Sequence, residues 1–195
     1  MSEAFEEPDD AATAIADSER RELIPAHIAF RHELNAAEQE NIARGRAWAF
    51  ARPHDLLSEK FVRDLHQRML GNVWRWAGRF RSSARNIGVE HWRIQTTLRE
   101  LLDDTRFWIA EGVYPADETA VRFHHRLVLI HPFPNGNGRH ARLMADLLSV
   151  RLGNQPFTWG GNALGPPSEI RGRYIAALRA ADDHDLAPLL IFSRS

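Results

Sequence analysis

HPFPNGNGRHAR, His131 to Arg142, crowds more functional side chains into a tighter turn than any other stretch of this 195-residue chain. Pro132 and Pro134 do not suit a helix interior, and Gly136-Asn137-Gly138 fits one only at a large propensity cost, so residues 131–138 read as a sharp loop. Beyond it helical periodicity returns: Ala141, Leu143, Met144, Leu147, Leu148 and Leu152 are apolar, and Gly153 is placed to end a helix over 139–152. A glycine turn running into a helix N-terminus aims several backbone N–H groups at one spot, where the helix dipole adds about half a positive charge. Such a nest, built here on Gly136, Asn137 and Gly138, holds phosphate. Arg139 and Arg142, three residues apart, add guanidinium forks that match phosphate oxygens. His131 enters the same loop with a side chain suited to taking a proton near neutral pH. An anion cradle, two arginines and a base are the parts of phosphoryl or nucleotidyl transfer, which relies on positioning and on stabilising charge.

Length and charge narrow the class. The chain suits one domain with a sizeable core, expected over residues 19–195 behind an acidic, alanine-rich tail at 1–18. A net charge of −1 and a pI near 6.8 supply no global attraction to nucleic acid or to an acidic membrane. The absence of cysteine excludes disulfides and thiolate metal sites. MSEAFEEPDD is unlike a signal peptide, and no apolar run approaches the roughly 18 residues of a spanning helix, so a cytoplasmic protein that meets no membrane is expected.

Taken in order, the chain reads as mostly helical. Asn35 and Glu38 form a capping-box pattern ahead of a helix over about 36–51, and Phe61, Val62, Leu65 and Met69 mark another from Ser58 to Leu70, stopped by Gly71. Trp74, Trp76 and Phe80 stand among arginines; stacking on nucleic acid is conceivable for such a pattern, but core packing is the better reading. Ile87, Val89 and Ile94 flank a short polar turn and predict a small hairpin over 86–95. Helices follow from Thr97 to Gly112, from Asp117 or Thr119 to Ile130, over about 170–181, and from Leu186 to Phe192. The glycine- and proline-rich stretch after Gln155 is a loop suited to wall a pocket, with Asn162 and Tyr174 as candidate base or ribose contacts. His124, His125 and His131 lack HExxH spacing and a carboxylate set, so packing roles are preferred to zinc.

His131, Phe133, Gly136, Asn137, Gly138, Arg139 and Arg142 resemble the signature of the Fic family, HxF, any residue, an acid, then GNGRxxR. WAGRFR at 76–81 resembles the segment before that family's active-site flap, and order is kept over about 60–180. More narrowly, WRWAGRFR, NIGV and HPFPNGNGRHARLMADLL are similar to Fic proteins carried on mobile elements and labelled mobile mystery protein B. The resemblance implies an all-α, Fic-like bundle with one short β-hairpin flap. It implies transfer of AMP from ATP to a Ser, Thr or Tyr hydroxyl of a target protein, with His131 as general base and Phe133 packed under the loop. Gly136, Asn137, Gly138, Arg139 and Arg142 would hold the phosphates. Gly138, where a kinase variant of the family carries lysine, favours AMP transfer over terminal-phosphate transfer. Ile87, Gly88 and Val89 would hold the target by strand addition, although an ordinary surface hairpin fits the spacing equally.

Two further implications concern charge. Mg²⁺ is expected with the nucleotide, yet Asn135 stands where the family has the metal-holding acid, and an amide oxygen brings no charge. An inhibitory helix in the family carries a glutamate that pairs with the second motif arginine. The usual pattern of that helix is Ser or Thr, three residues, Glu, then Gly or Asn; Glu40-Asn41 fits its end and Ala36 does not fit its start, while Glu38 also reads as a cap residue and Glu40 as a solvated charge. The alternative function is a nucleotide-binding regulatory module without turnover, or a transferase using another phosphate donor. A DNA-binding partner is the further association that the mobile-element likeness suggests.

Overall fold

Residues 137–151 carry apolar side chains on more than one face, and such a helix belongs inside a protein. The computed structural model, which describes residues 21–25, 27–28, 30–162 and 167–195, places it there. Seven α-helices make up the described architecture: α1 (Arg31–Phe50), α2 (Glu59–Leu70), α3 (Ile94–Ala110), α4 (Ala116–Ile130), α5 (Asn137–Arg151), α6 (Pro167–Asp182) and α7 (Ala187–Arg194). Helix α5 is flanked by α4, α2 and α1, α3 packs on the outer side of α4, and α6 pairs with α7 at the far end. Ala141, Leu143, Met144, Ala145, Leu147 and Leu148 of α5 are all buried, against Leu65, Met69, Phe123 and Leu127 of its neighbours in one continuous core. No described helix is long and apolar enough to cross a membrane.

The expected all-α bundle is therefore what forms, with three differences of detail. Helix α1 starts at Arg31 rather than near 36, because Glu33 reaches back to accept from the Phe30 N–H at 3.0 Å and supplies the start that Asn35 was expected to give. Asn35 and Glu38 thus lie inside a helix and Glu38 is released from any capping role. Helix α5 begins at Asn137, two residues earlier than its periodicity suggested. The third difference is the flap: residues 82–90 form an irregular loop with no hairpin, leading into a single 3-10 turn at His91–Arg93. Val89 turns its N–H to the Ile130 carbonyl at the end of α4, 3.4 Å away, instead of pairing across a strand. Among the described residues the one extended contact is an isolated antiparallel bridge between Leu23 and Trp74.

The α1–α2 contact positions the site. Gly45 allows close approach, since a Cβ there would lie 3.0 Å from the Met69 backbone. Buried Asn41 fixes the register by donating to the Arg68 carbonyl at 3.0 Å and accepting from the Asn72 N–H at 3.2 Å. Trp74 and Trp76, stacked with ring centroids 5.0 Å apart and both buried, serve the core as expected. The expected tail at 1–18 lies outside the described residues.

Candidate active site

Helix α4 ends on His131, which adopts a left-handed conformation (φ 51, ψ 59) normally taken by glycine or asparagine. The turn swings the imidazole from the end of α4 into the mouth of the loop. Burial, with Arg81 and Arg85 nearby, pushes its pKa down to about 4, against a hydrogen bond to the Val128 backbone that acts the other way. At neutral pH the ring is thus uncharged and can take up a proton.

The loop is held from within. Asn137, 3% exposed, accepts from the Phe133 N–H at 2.9 Å and donates to the Phe133 carbonyl at 2.8 Å. Its side chain is committed to closing the turn, and its backbone N–H lies in the first turn of α5. Gly136 takes φ 77 and packs so tightly that a Cβ would lie 2.6 Å from Leu70 Cδ1. Beneath the loop, fully buried Phe133 stacks on His66 with centroids 3.7 Å apart. His66 was not singled out from sequence, although its environment fixes its state. Its Nδ1 accepts from the Gly78 N–H at 2.9 Å, so its Nε2–H donates to the Asn135 carbonyl at 3.0 Å. Burial and the neighbouring His140 keep its pKa well below the ordinary range.

Asn137→Ala is expected to strand both Phe133 backbone groups and lower stability by about 2 to 4 kcal/mol. Urea denaturation measures the loss, and a change within error would show that the turn does not depend on this side chain.

Around the loop lies a cavity of about 790 Å³. His131, Asn135, Gly136, Asn137, Gly138, Arg139 and Arg142 border it, with exposed Ile87 and Gly88 at the rim and Trp159, Gly160 and Tyr174 also in its lining. Arg142 lies over the Tyr174 ring, 5.2 Å from its centroid, and burial pushes the Tyr174 hydroxyl up to about 12. That hydroxyl shares a 3.0 Å hydrogen bond with His124 Nε2, so His124 packs beneath the wall. The wall is anchored by Asp146 of α5, buried to 3% exposure, which accepts from Trp159 Nε1 at 2.8 Å, the Phe157 N–H at 3.2 Å and Arg46 at 2.8 Å. Val89 sits behind the rim, and Asn162 is exposed outside the lining.

Glu38, not Glu40, reaches this site. Glu40 points to solvent and pairs with Arg44 at 2.5 Å. Glu38, 5% exposed, accepts from Trp74 Nε1 at 2.7 Å and from Arg139 at 2.5 Å. Its partner is the first motif arginine rather than the second, because α1 passes over the start of α5 where Arg139 emerges.

A resident Mg²⁺ site does not fit the donors present. Asn135 is uncharged, and its side-chain oxygen is folded onto the Gly136 N–H at 2.6 Å. Among the described residues no group of three or more His, Cys, Asp or Glu could hold a metal. The positive charge that borders the cavity is that of Arg139, Arg142 and the N-terminus of α5, with Arg171 and Arg179 on α6.

Comparison with known proteins agrees with this architecture. The profile of the Fic/DOC family matches residues 56–149. Protein adenylyltransferase fic-1 of Caenorhabditis elegans is 32% identical over 145 residues, covering 72% of this chain and 27% of that one. The solved structure of C. elegans Fic-1 superposes with a TM-score of 0.64 at 28% identity, over 81% of this chain and 48% of that one. The Bartonella tribocorum effector BepC, solved with bound AMPPNP, shares the fold at a TM-score of 0.69 and 14% identity, over 92% of this chain and 97% of its own. The chain thus spans about a quarter of the curated relative's length. With the motif loop, the helices around it and the sequence profile in agreement, residues 56–149 form a domain of the Fic/DOC family.

Proposed function

We propose that this Fic domain is a protein adenylyltransferase that moves AMP from ATP to a Ser, Thr or Tyr hydroxyl of a target protein, acting in the cytoplasm. The observation that carries the reading is the junction of α4 and α5: a neutral, buried histidine borders the same cavity as a helix N-terminus and two arginines. His131 takes the proton of the incoming hydroxyl, whose oxygen attacks the α-phosphorus. The bond from that phosphorus to the bridging oxygen breaks, and pyrophosphate leaves. Backbone N–H groups at Gly136, Asn137 and Gly138 orient the phosphates, and Arg139 and Arg142 offset the charge that develops on the leaving group. Ile87 and Gly88 face the incoming polypeptide, and Tyr174 and Trp159 border the base. Adenylyltransferase relatives and an AMPPNP-bound structure of the same fold support ATP as donor. A DNA-binding partner is part of the proposal only as an association of the mobile-element type.

Incubation with a cell lysate and ATP labelled at the α-phosphate is expected to label a protein band that is absent from lysate alone, while ATP labelled at the γ-phosphate adds no band to those of lysate alone. Label from the γ-position alone would replace AMP transfer by phosphoryl transfer. No label from either, with nucleotide binding intact, would leave the regulatory module as the function.

Because position 135 carries no charge, nucleotide affinity is expected to depend weakly on Mg²⁺. Asn135→Asp is expected to add a dependence of about tenfold in affinity, in line with the charge difference between carboxylate and amide ligands. Calorimetric titration of ATP with and without Mg²⁺ reads this directly, and identical behaviour of the two proteins would put position 135 away from the metal. We further propose that Glu38 restrains the enzyme by occupying Arg139.

A further inference from the structure

Arg81 is 3% exposed, and its guanidinium binds main chain on two sides. Nε donates to the His131 carbonyl at 2.6 Å, Nη1 to the Ser83 carbonyl at 2.9 Å, and Nη2 to the Val89 carbonyl and, at 3.5 Å, to that of Ile130. The Arg81 backbone N–H adds a bond to the Pro132 carbonyl at 2.9 Å. One residue thus grips three consecutive carbonyls, 130 to 132, and both ends of the 82–90 loop. Gly88 of that loop lies against the same joint: it takes φ 102, and a Cβ there would be 2.6 Å from His131 Cβ and 2.8 Å from Arg81 Nη2.

The residue being held needs holding. A non-glycine residue in the left-handed region is disfavoured on its own, and such conformations persist where the surroundings fix them. A planar guanidinium can satisfy carbonyls in several directions at once, whereas an ammonium is a single point donor. We propose that Arg81 is a positioning residue for the His131 base, fastening the end of α4 to the 82–90 loop so that imidazole and rim keep one geometry. The proposal rests on the transferase reading of the site. Arg81 acts through His131 and touches no reacting atom.

The electrostatic surroundings give an independent readout. Arg81 and Arg85 both act on the imidazole from the loop side, Val128 from α4, and Glu90 acts on Arg81. Arg139 and Arg142 border the cavity from α5 and Arg171 from α6. Removing the Arg81 charge is therefore expected to let the His131 midpoint rise from about 4.

The test uses the full chain carrying Arg81→Lys, Arg81→Gln or Gly88→Ala. Arg81→Lys is expected to lower kcat for AMP transfer about 10- to 100-fold, the scale of a small misplacement of a reacting group, with KM for ATP little changed because the phosphate contacts remain. Gly88→Ala presses on the joint from the other side and is expected to lower kcat likewise. Nuclear magnetic resonance titration of the His131 ring without nucleotide is expected to show a higher midpoint in Arg81→Gln than in the wild type. Wild-type kcat in folded Arg81→Lys, or a loss confined to KM for ATP, would overturn the proposal. If circular dichroism shows that the Arg81 variants do not fold, Gly88→Ala decides, and an unchanged kcat there overturns it. If the wild type transfers no AMP, the transferase reading fails by itself. The ring titration still decides Arg81, and an unmoved midpoint in Arg81→Gln overturns its role.

Discussion

His131→Asn is expected to lower AMP transfer by about 10²- to 10⁴-fold, the usual contribution of a positioned general base, while ATP affinity stays within error of wild type. Asparagine is chosen over alanine because position 131 takes φ 51, which asparagine tolerates better than other non-glycine residues. An alanine variant would mix loss of the base with backbone strain. The pH dependence should follow the same group. Burial and two arginines place the imidazole midpoint at about 4, so the base is neutral and competent above that pH and is lost as pH falls through it. Phosphates arriving at Arg139 and Arg142 bring negative charge near the ring and favour its protonated form, so the acid limb of kcat should lie above the midpoint of the free protein. Single-turnover transfer measured across pH, with the variant alongside, checks both statements. Transfer by His131→Asn within threefold of wild type would remove His131 from the chemistry.

The same shift has a stability consequence with a definite sign. A histidine whose folded pKa lies below its unfolded value binds fewer protons when native, so stability falls as pH drops from about 6.5 toward 4. His66, His124 and His140 are shifted in the same direction by burial. His131 and His140, both pushed down to about 4, each contribute up to about 1.4 kcal/mol per pH unit within that window, and His66 and His124 add to the loss in the same direction, so stability should fall on acidification below about pH 6.5.

The motif loop was legible because its constraints are local. A glycine that needs left-handed backbone, Gly136, a histidine before proline and two arginines one helical turn apart are visible in a dozen letters. Helix periodicity recovered α2 to α7 for the same reason. What stayed hidden depends on distant partners. His66, for example, makes its hydrogen bonds with Gly78 and Asn135, which lie far from it in sequence. The hairpin over 86–95 has strand-like residues, but Arg81 and the Ile130 carbonyl take the bonds that a hairpin would need. Arg81, His66 and Asp146 carry no spacing signal of their own. A polar residue seated within an otherwise packing-type segment, such as Arg81 at the end of WAGRFR, was the available hint.

Glu38→Gln is expected to raise ATP affinity by about tenfold or more and to raise the transfer rate at subsaturating ATP. The carboxylate holds Arg139 through a charge-assisted contact at 2.5 Å, and such bonds are worth about 1.5 to 3 kcal/mol. A triphosphate must take Arg139 from this partner, and the glutamine variant removes the competing charge. It keeps an amide oxygen to accept from Trp74 Nε1, now 2.7 Å from the carboxylate, so the core contact is preserved. Glu38→Ala removes both contacts: it should activate at least as strongly but destabilise the fold by about 1 to 3 kcal/mol, because Trp74 is fully buried and its N–H loses its acceptor. Glu40→Ala is the control, since that side chain is 67% exposed and pairs only along the surface of α1, where an ion pair contributes about 0 to 1 kcal/mol. Calorimetry of ATP binding and thermal melts on the three variants separate restraint from scaffold. Equal ATP affinity in wild type and Glu38→Gln would mean that Arg139 is not the group the nucleotide needs. Activation by Glu40→Ala of the same size would mean that the restraint lies in the helix as a whole. The two-partner geometry of Glu38 argues for the specific outcome: anchored by Trp74 and set by the Asn41 and Gly45 contacts of α1 with α2, its carboxylate is held where Arg139 leaves α5.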